Sequence, residues 1–298
     1  MSRTLPKCDH LRVLIGGVVL EIHAQPDDIE YYRSSCWGRF VVPDSDGPPD
    51  IMARVHYGSP PRLVNGAPDY DSGGVWRLYR QTHHSGWVAE FTCEGSIYKV
   101  ARFDRVTSTL HVYLPEAAER YPATYPLDFP LDELLFAEYL STHDGVELHC
   151  CALKVREHGA VFCGVSGAGK STLARLWEGA PDVTILTDDR AIVRRSDEGP
   201  VVFGTPWHGD AGLSAQGWAP LRYLFLLRHG PLNAVRRLSL AEAARRAPVV
   251  AVGPFWDRAG AGHVLSSVGR IVQELPCVEL TFRPDREVVE FLLRRYFA

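Results

Sequence analysis

At 298 residues, 46% hydrophobic and 23% charged, the chain has the composition of a globular protein large enough for two domains. A formal net charge of −4 argues against a nucleic-acid partner. No apolar run reaches the length of a membrane span, and Met1–Pro6 lacks the apolar core of a signal peptide. Seven cysteines with no CxxC spacing suit small buried hydrophobes in a reducing cytoplasm better than disulfides or zinc.

From Leu11 to about Leu114 the pattern predicts strands. Runs such as 12–15, 18–22, 74–79, 87–91 and 109–114 are rich in β-branched and aromatic residues and are separated by glycine, proline, aspartate and serine. An antiparallel, β-rich domain over residues 1–120 is expected. A proline-punctuated connector, 121–130, follows. Leu131, Leu134, Leu135 and Tyr139 then recur at helical spacing, which leaves Asp132, Glu133 and Glu138 for solvent and predicts a helix from Leu131 to Ser141. Beyond Val146 short strands alternate with helices, the sign of an α/β domain over residues 127–298.

Within that domain lies a complete phosphate-binding signature, Gly164-Val165-Ser166-Gly167-Ala168-Gly169-Lys170-Ser171, followed by Thr172. The apolar run Ala160–Cys163 precedes it as a buried strand would, and Lys170–Trp177 follows as a helix without a breaker. Strand, glycine loop and helix N-terminus together surround a phosphate with backbone N–H groups. Lys170 is expected to reach the β- and γ-phosphates of ATP, and the Ser171 hydroxyl to sit on Mg²⁺.

The reaction must come from neighbouring groups. Val183–Thr187 reads as a strand ending in Asp188 and Asp189, where a nucleotide-bound metal is commonly held. Adjacent aspartates point in opposite directions along an extended chain, so one can serve the metal while the other accepts a proton from an attacking hydroxyl. His149 closes the run Gly145–Leu148. Gly204-Thr205-Pro206-Trp207-His208-Gly209-Asp210 concentrates an aromatic, an imidazole and a carboxylate in one loop.

Taken in order, Leu148-His149, the glycine loop, Asp188-Asp189-Arg190 and Gly204-Thr205-Pro206-Trp207 resemble the catalytic domain of HPr kinase/phosphorylase. The likeness is nearer to the HPr-kinase-related serine kinases of the phosphoenolpyruvate-carboxykinase-like superfamily. Leu221–Leu227 and Leu275–Asp285 are also similar, so the resemblance covers about residues 127–298. It implies a P-loop catalytic domain of that type in which Gly164–Thr172 cradle ATP. Asp188 is then the general base, Asp189 the metal-side carboxylate (or the two reversed), and His149 lies close to the transferred phosphoryl group. Arg190, Trp207, His208 and Asp210 fall on the substrate side. Thr172 stands where true HPr kinases commonly have glutamate, and their glycine- and arginine-rich phosphorylase signature has no convincing copy here. Both departures argue against a bifunctional regulator. No arginine-lined oxaloacetate site is recognisable, which argues against decarboxylation.

The activity so implied is transfer of the γ-phosphoryl group of ATP to a hydroxyl, with a serine of a protein or peptide as the expected partner. Similar enzymes tailor ribosomally made peptides, lasso-peptide precursors among them, and the β-rich domain could dock such a peptide by adding a strand to an exposed edge. A homo-oligomer is compatible with the family. The rival readings are a small-metabolite kinase, a nucleotide-dependent switch without an acceptor, and a degenerate scaffold. Intact Lys170, Ser171 and Asp189 argue against the last.

Overall fold

A computed structural model of the chain describes residues 9–44, 47–81, 85–116 and 125–298; the opening residues Met1–Pro6 and the start of the connector, 121–124, lie outside them. The described residues divide into two compact units. One runs through Leu14 and continues over Val18–Tyr139; the other holds Ile15–Gly17 and Leu140–Ala298. Among the described residues no helix is long and apolar enough to cross a membrane.

The first unit contains β1 (Asp9–Ile15), β2 (Val18–Ala24), α1 (Pro26–Ser34), β3 (Ile51–Tyr57), β4 (Tyr70–Asp71), β5 (Trp76–Gln81), β6 (Gly86–Cys93), β7 (Ser96–Asp104) and β8 (Thr109–Leu114). They form one sheet in the order β1-β2-β3-β8-β7-β6-β5-β4. In β2, β3 and β8 buried and more exposed side chains alternate, as period-two patterning requires, whereas β6 buries Trp87–Phe91 in succession. Val18, Leu20, Ile22 and Ala24 of β2 are buried, as are Ile51, Ala53 and Val55 of β3 and Leu110, Val112 and Leu114 of β8. The antiparallel expectation holds from β4 to β8 but fails at β2–β3 and β3–β8, which pair in parallel. A parallel pair needs a long crossover. Here α1 supplies it, started by Pro26 in the first turn with Asp27 and Asp28 behind it.

Helix α2 (Leu131–Thr142) forms over the expected span, but its acids do not face solvent. Asp132 and Glu138 are buried, and Glu138 Oε1 accepts from Arg105 Nε at 2.7 Å. A helix packed on every side has no solvent face, and sequence spacing cannot report that.

The second unit contains β9 (Gly145–Val155), β10 (His158–Cys163), α3 (Lys170–Trp177), β11 (Val183–Thr187), β12 (Arg190–Ser196), β13 (Gly199–Phe203), β14 (Trp218–His229), β15 (Ala234–Arg237), α4 (Leu240–Arg246), β16 (Ala251–Val252), α5 (Arg258–Glu274), β17 (Cys277–Phe282) and α6 (Glu287–Tyr296). Two strands are long enough to serve two pairings in succession. β9 meets β12 through residues 145–149 and β10 through 150–155; β14 meets β13 through its first three residues, then β10 and β17. β10, β14 and β17 run parallel and adjacent, so their C-terminal ends open on the same side. Ligands bind at such ends in α/β sheets.

Two apolar clusters hold this unit together. In one, Phe162, Phe225, Leu280 and Phe282 pack with Leu173, Ala174 and Trp177 of α3 and Val288 and Leu292 of α6. In the other, Val161, Cys163 and Leu224 pack with Val264, Val268 and Ile271 of α5. Cys150, Cys151, Cys163 and Cys277 are buried free thiols.

Candidate active site

The glycine loop spans the gap between β10 and α3. Gly167 and Gly169 take left-handed backbone conformations, with φ of 77° and 94°. At Gly169 a side chain is excluded for a second reason: a Cβ there would lie 2.8 Å from the Phe282 ring and 3.3 Å from His229. The loop opens into a cleft of ≈ 300 Å³ lined by loop residues Ser166–Thr172, by His149 and Asp189, by Gly209 and Asp210, and by His229, though not by Ala168. Lys170 is nearly buried, and its Nζ donates to the carbonyls of Gly164 (2.9 Å) and Val165 (3.1 Å). Burial lowers its pKa, against the opposing charge of Asp189. Thus Gly164 and Val165 hold the lysine, while buried Ala168 packs beneath the loop.

Opposite the loop, the turn from β11 to β12 sends its two aspartates in different directions. Thr187 organises the turn: its hydroxyl donates to Trp207 O (2.8 Å) and accepts from the N–H groups of Asp189 and Arg190. Asp189 emerges into the cleft, where His149 Nε2 approaches its Oδ1 at 3.1 Å. Their meeting follows from strand register, since His149 on β9 faces Arg190 on β12. Arg190 Nε lies 3.7 Å from Asp189 Oδ2 and 3.5 Å from Glu147 Oε1. Burial alone would push the Asp189 carboxyl up, but the His149 hydrogen bond and the charges of Arg190, His149 and Lys170 outweigh it. The net value lies below the usual carboxylate range, and the group is ionised at neutral pH. Because the folded value is the lower one, the stability Asp189 contributes is present above the unfolded carboxylate pKa. It is lost as pH falls through the folded value.

Asp188 requires a correction. It is 0% exposed and does not line the cleft. Gly209 N (3.0 Å) and Leu213 N (3.2 Å) donate to its Oδ1, and Ala211 N (3.0 Å) donates to its Oδ2. With three backbone amides on its carboxylate, it is the anchor of the loop after β13 rather than the base expected from the resemblance. The anchoring draws that loop close: a Cβ on Gly209 would stand 3.0 Å from Asp188 Oδ2, 3.1 Å from Ser171 Oγ and 3.5 Å from Asp189 Cβ.

The remaining substrate-side candidates separate. Asp210 lines the cleft. Trp207 is 8% exposed and sits outside the lining, a plug beneath the loop rather than a substrate contact. His208 is exposed, also outside the lining, with Nδ1 3.1 Å from Gly209 O. Arg190 orients Asp189 without lining the cleft.

Sequence reasoning missed His229. It ends β14, three residues beyond the Leu226 that pairs with Cys163, and so reaches past β10 to the loop. Its Nε2 donates to Gly167 O at 2.7 Å. A polar residue closing a core strand was the available signal. One neutral hydrogen bond contributes about 0.5–1.5 kcal/mol, so His229→Ala is expected to weaken nucleotide binding by about 2- to 12-fold. His229→Gln, which keeps an N–H donor, is expected to recover most of it. Titration with a fluorescent ATP analogue measures both, and equal weakening in the two variants would remove the clamp as the cause.

No protein-family model matches the chain, and no curated protein matches it. Among solved structures, the Hpr(Ser) kinase/phosphatase from Coxiella burnetii is similar over 51% of this chain and 90% of that one, with 13% sequence identity and a TM-score of 0.28. This is a weak likeness of fold, from which no chemistry is inferred.

Proposed function

We propose that this chain is an ATP-dependent phosphotransferase that moves the γ-phosphoryl group to a hydroxyl, with a serine of a protein or ribosomally made peptide as the acceptor. The observation that carries this reading is the meeting, in one cleft, of the glycine loop with Lys170 and Ser171 on one side and the Asp189–His149 pair on the other.

Phosphoryl transfer through a loose transition state asks mainly for alignment and charge neutralisation. Backbone N–H groups of the loop and the N-terminus of α3 suit the phosphates. Lys170, held on loop carbonyls, is within a side-chain swing of them. Asp189, anionic and steadied by His149 and Arg190, orients the acceptor hydroxyl and takes its proton as the new P–O bond forms and the bond to the ADP oxygen breaks. Among the described residues no cluster of three or more His, Cys, Asp or Glu could hold a metal alone. The Ser171 hydroxyl, which borders Gly209, fits instead one position in the donor set of an Mg²⁺ ion carried by nucleotide phosphates, and Asp189, used as the base, is not assigned to that ion. That ion would neutralise charge developing on the phosphates.

Lys170→Ala is expected to weaken ATP binding by about 10- to 100-fold, the worth of charge-assisted hydrogen bonds to phosphate. Calorimetric titration measures it, and unchanged affinity would mean that the phosphates do not lie against the loop.

The switch reading loses one of the objections to it, because only Asp189 of the aspartate pair reaches the cleft. What still speaks against a switch is the imidazole beside that carboxylate, which metal holding alone does not require. Incubation with γ-labelled ATP, Mg²⁺ and serine-containing peptides decides the matter. Label on a peptide hydroxyl is the expected result; label released only as free phosphate would overturn the kinase reading in favour of the switch.

A further inference from the structure

The polar face of the sheet in the first unit carries a row of cationic and imidazole side chains in register across four neighbouring strands. His23 on β2 pairs with Arg54 on β3, Arg54 with His111 on β8, and His111 with Arg102 on β7. Paired residues share a face, and the alternate residues Ile22, Ala53, Val55, Leu110, Val112, Ala101 and Phe103 are buried on the other. One step along, His56 extends the row. Its ring lies 5.2 Å from that of His111, with a ring-to-ring hydrogen bond of 2.9 Å, and 4.8 Å from that of Tyr113.

Four arginines of this unit have carboxylate partners: Arg12 with Glu21, Arg77 with Asp71, Arg80 with Asp69, Arg105 with Glu138. Arg54 and Arg102 have none among the described residues, although Arg54 is exposed and Arg102 half-exposed. Of the acids bordering the row, Glu21 pairs with Arg12 and with the row's own His23, and Asp104 caps the N–H groups of Val106 and Thr107, so neither pairs with Arg54 or Arg102.

The spacing narrows the ligand. Strands lie about 4.8 Å apart, so the Arg54 and Arg102 backbones, with β8 between them, stand about 10 Å apart. That spacing roots the two guanidiniums on either side of His111, where each can take one carboxylate of the same acidic peptide. Guanidinium groups bind carboxylates in bidentate geometry, and the flat His56–Tyr113 stack offers a platform between. Nucleic acid asks for a longer basic track than two guanidiniums bounded by Glu21 and Asp104. Strand addition at the sheet edges is the weaker route. The outer edge of β1 is occupied by a bridge from Val13 to Val41 and by Val42 N donating to Arg12 O, and β4 is two residues long.

We propose that this face docks an acidic peptide segment, with Arg54 and Arg102 each taking one of its carboxylates across His111. The surface stands independently of what the nucleotide cleft does. The test uses the full chain and a fluorescein-labelled octaglutamate peptide, read by anisotropy at low ionic strength, where screening of exposed charges is weak. The Arg54→Glu/Arg102→Glu double variant is expected to bind about tenfold more weakly or worse, and the Arg54→Gln/Arg102→Gln variant to fall between it and the native chain. An unchanged melting midpoint and unchanged ATP affinity establish that either variant is folded. Octaglutamate binding that is absent from the native chain, or equal in all three proteins, overturns the proposal. So does an oligothymidylate that binds the native chain as tightly as the peptide, which would make the face a nucleic-acid surface.

Discussion

Asp189→Asn is expected to lower phosphoryl transfer by about 10²–10⁴-fold, the usual contribution of a general base, while leaving ATP affinity close to native. The reason is positional. Asp189 is the member of the aspartate pair that faces the cleft, with His149 Nε2 at 3.1 Å from one oxygen and the Arg190 guanidinium beside the other. Asparagine preserves the shape and one acceptor oxygen but removes the charge that draws the hydroxyl proton. Single-turnover transfer from γ-labelled ATP gives the rate, and nucleotide titration with and without Mg²⁺ gives the affinity. Near-native transfer would end the assignment. Retained ATP binding that no longer responds to Mg²⁺ would move Asp189 from the acceptor to the metal.

Asp188→Asn is expected to act by a different route, through stability. The native carboxylate is fully buried and accepts three backbone N–H groups. An asparagine NH₂ would face those donors with donors of its own, leaving at least one buried amide unsatisfied and a charge-assisted bond lost. The cost is about 3 kcal/mol, which for a unit of this size lowers the melting midpoint by about 6–12 °C. Thermal unfolding followed by circular dichroism measures it. A variant as stable as the native chain but unable to transfer phosphate would return the base role to Asp188.

These paired experiments bear on what could be read from the chain alone. Adjacent aspartates after a β-branched run announced a strand end and two opposite side-chain directions, and both features are present. Which aspartate faces the cleft depends on a loop some twenty residues later, whose amides at Gly209, Ala211 and Leu213 close on Asp188. Trp207 had the same ambiguity: an aromatic beside a proline suits a substrate contact or a plug, and burial beneath the loop decides for the plug. His229 was illegible for a related reason, because its meeting with Gly167 depends on how far β14 extends past β10.

In the first unit, the strands at 18–22 and 109–114 were legible from alternation, and the crossover through α1 was not. Two parallel strands distant in sequence look no different, residue by residue, from two halves of a hairpin. The Arg54–Arg102 row likewise exists only through register, since β3, β8 and β7 become neighbours by pairing.

The amino-acid sequence alone determined the local chemistry: a glycine loop between Cys163 and Lys170, a helix to Trp177, and an acidic pair after Thr187. Each is written in contiguous residues whose backbone preferences and periodicity act over a few positions. Tertiary structure alone decided which carboxylate is sequestered, which imidazole touches the loop, and which arginines lack partners. Those outcomes are set by strand register and by hydrogen bonds between segments tens of residues apart, and no local preference encodes them.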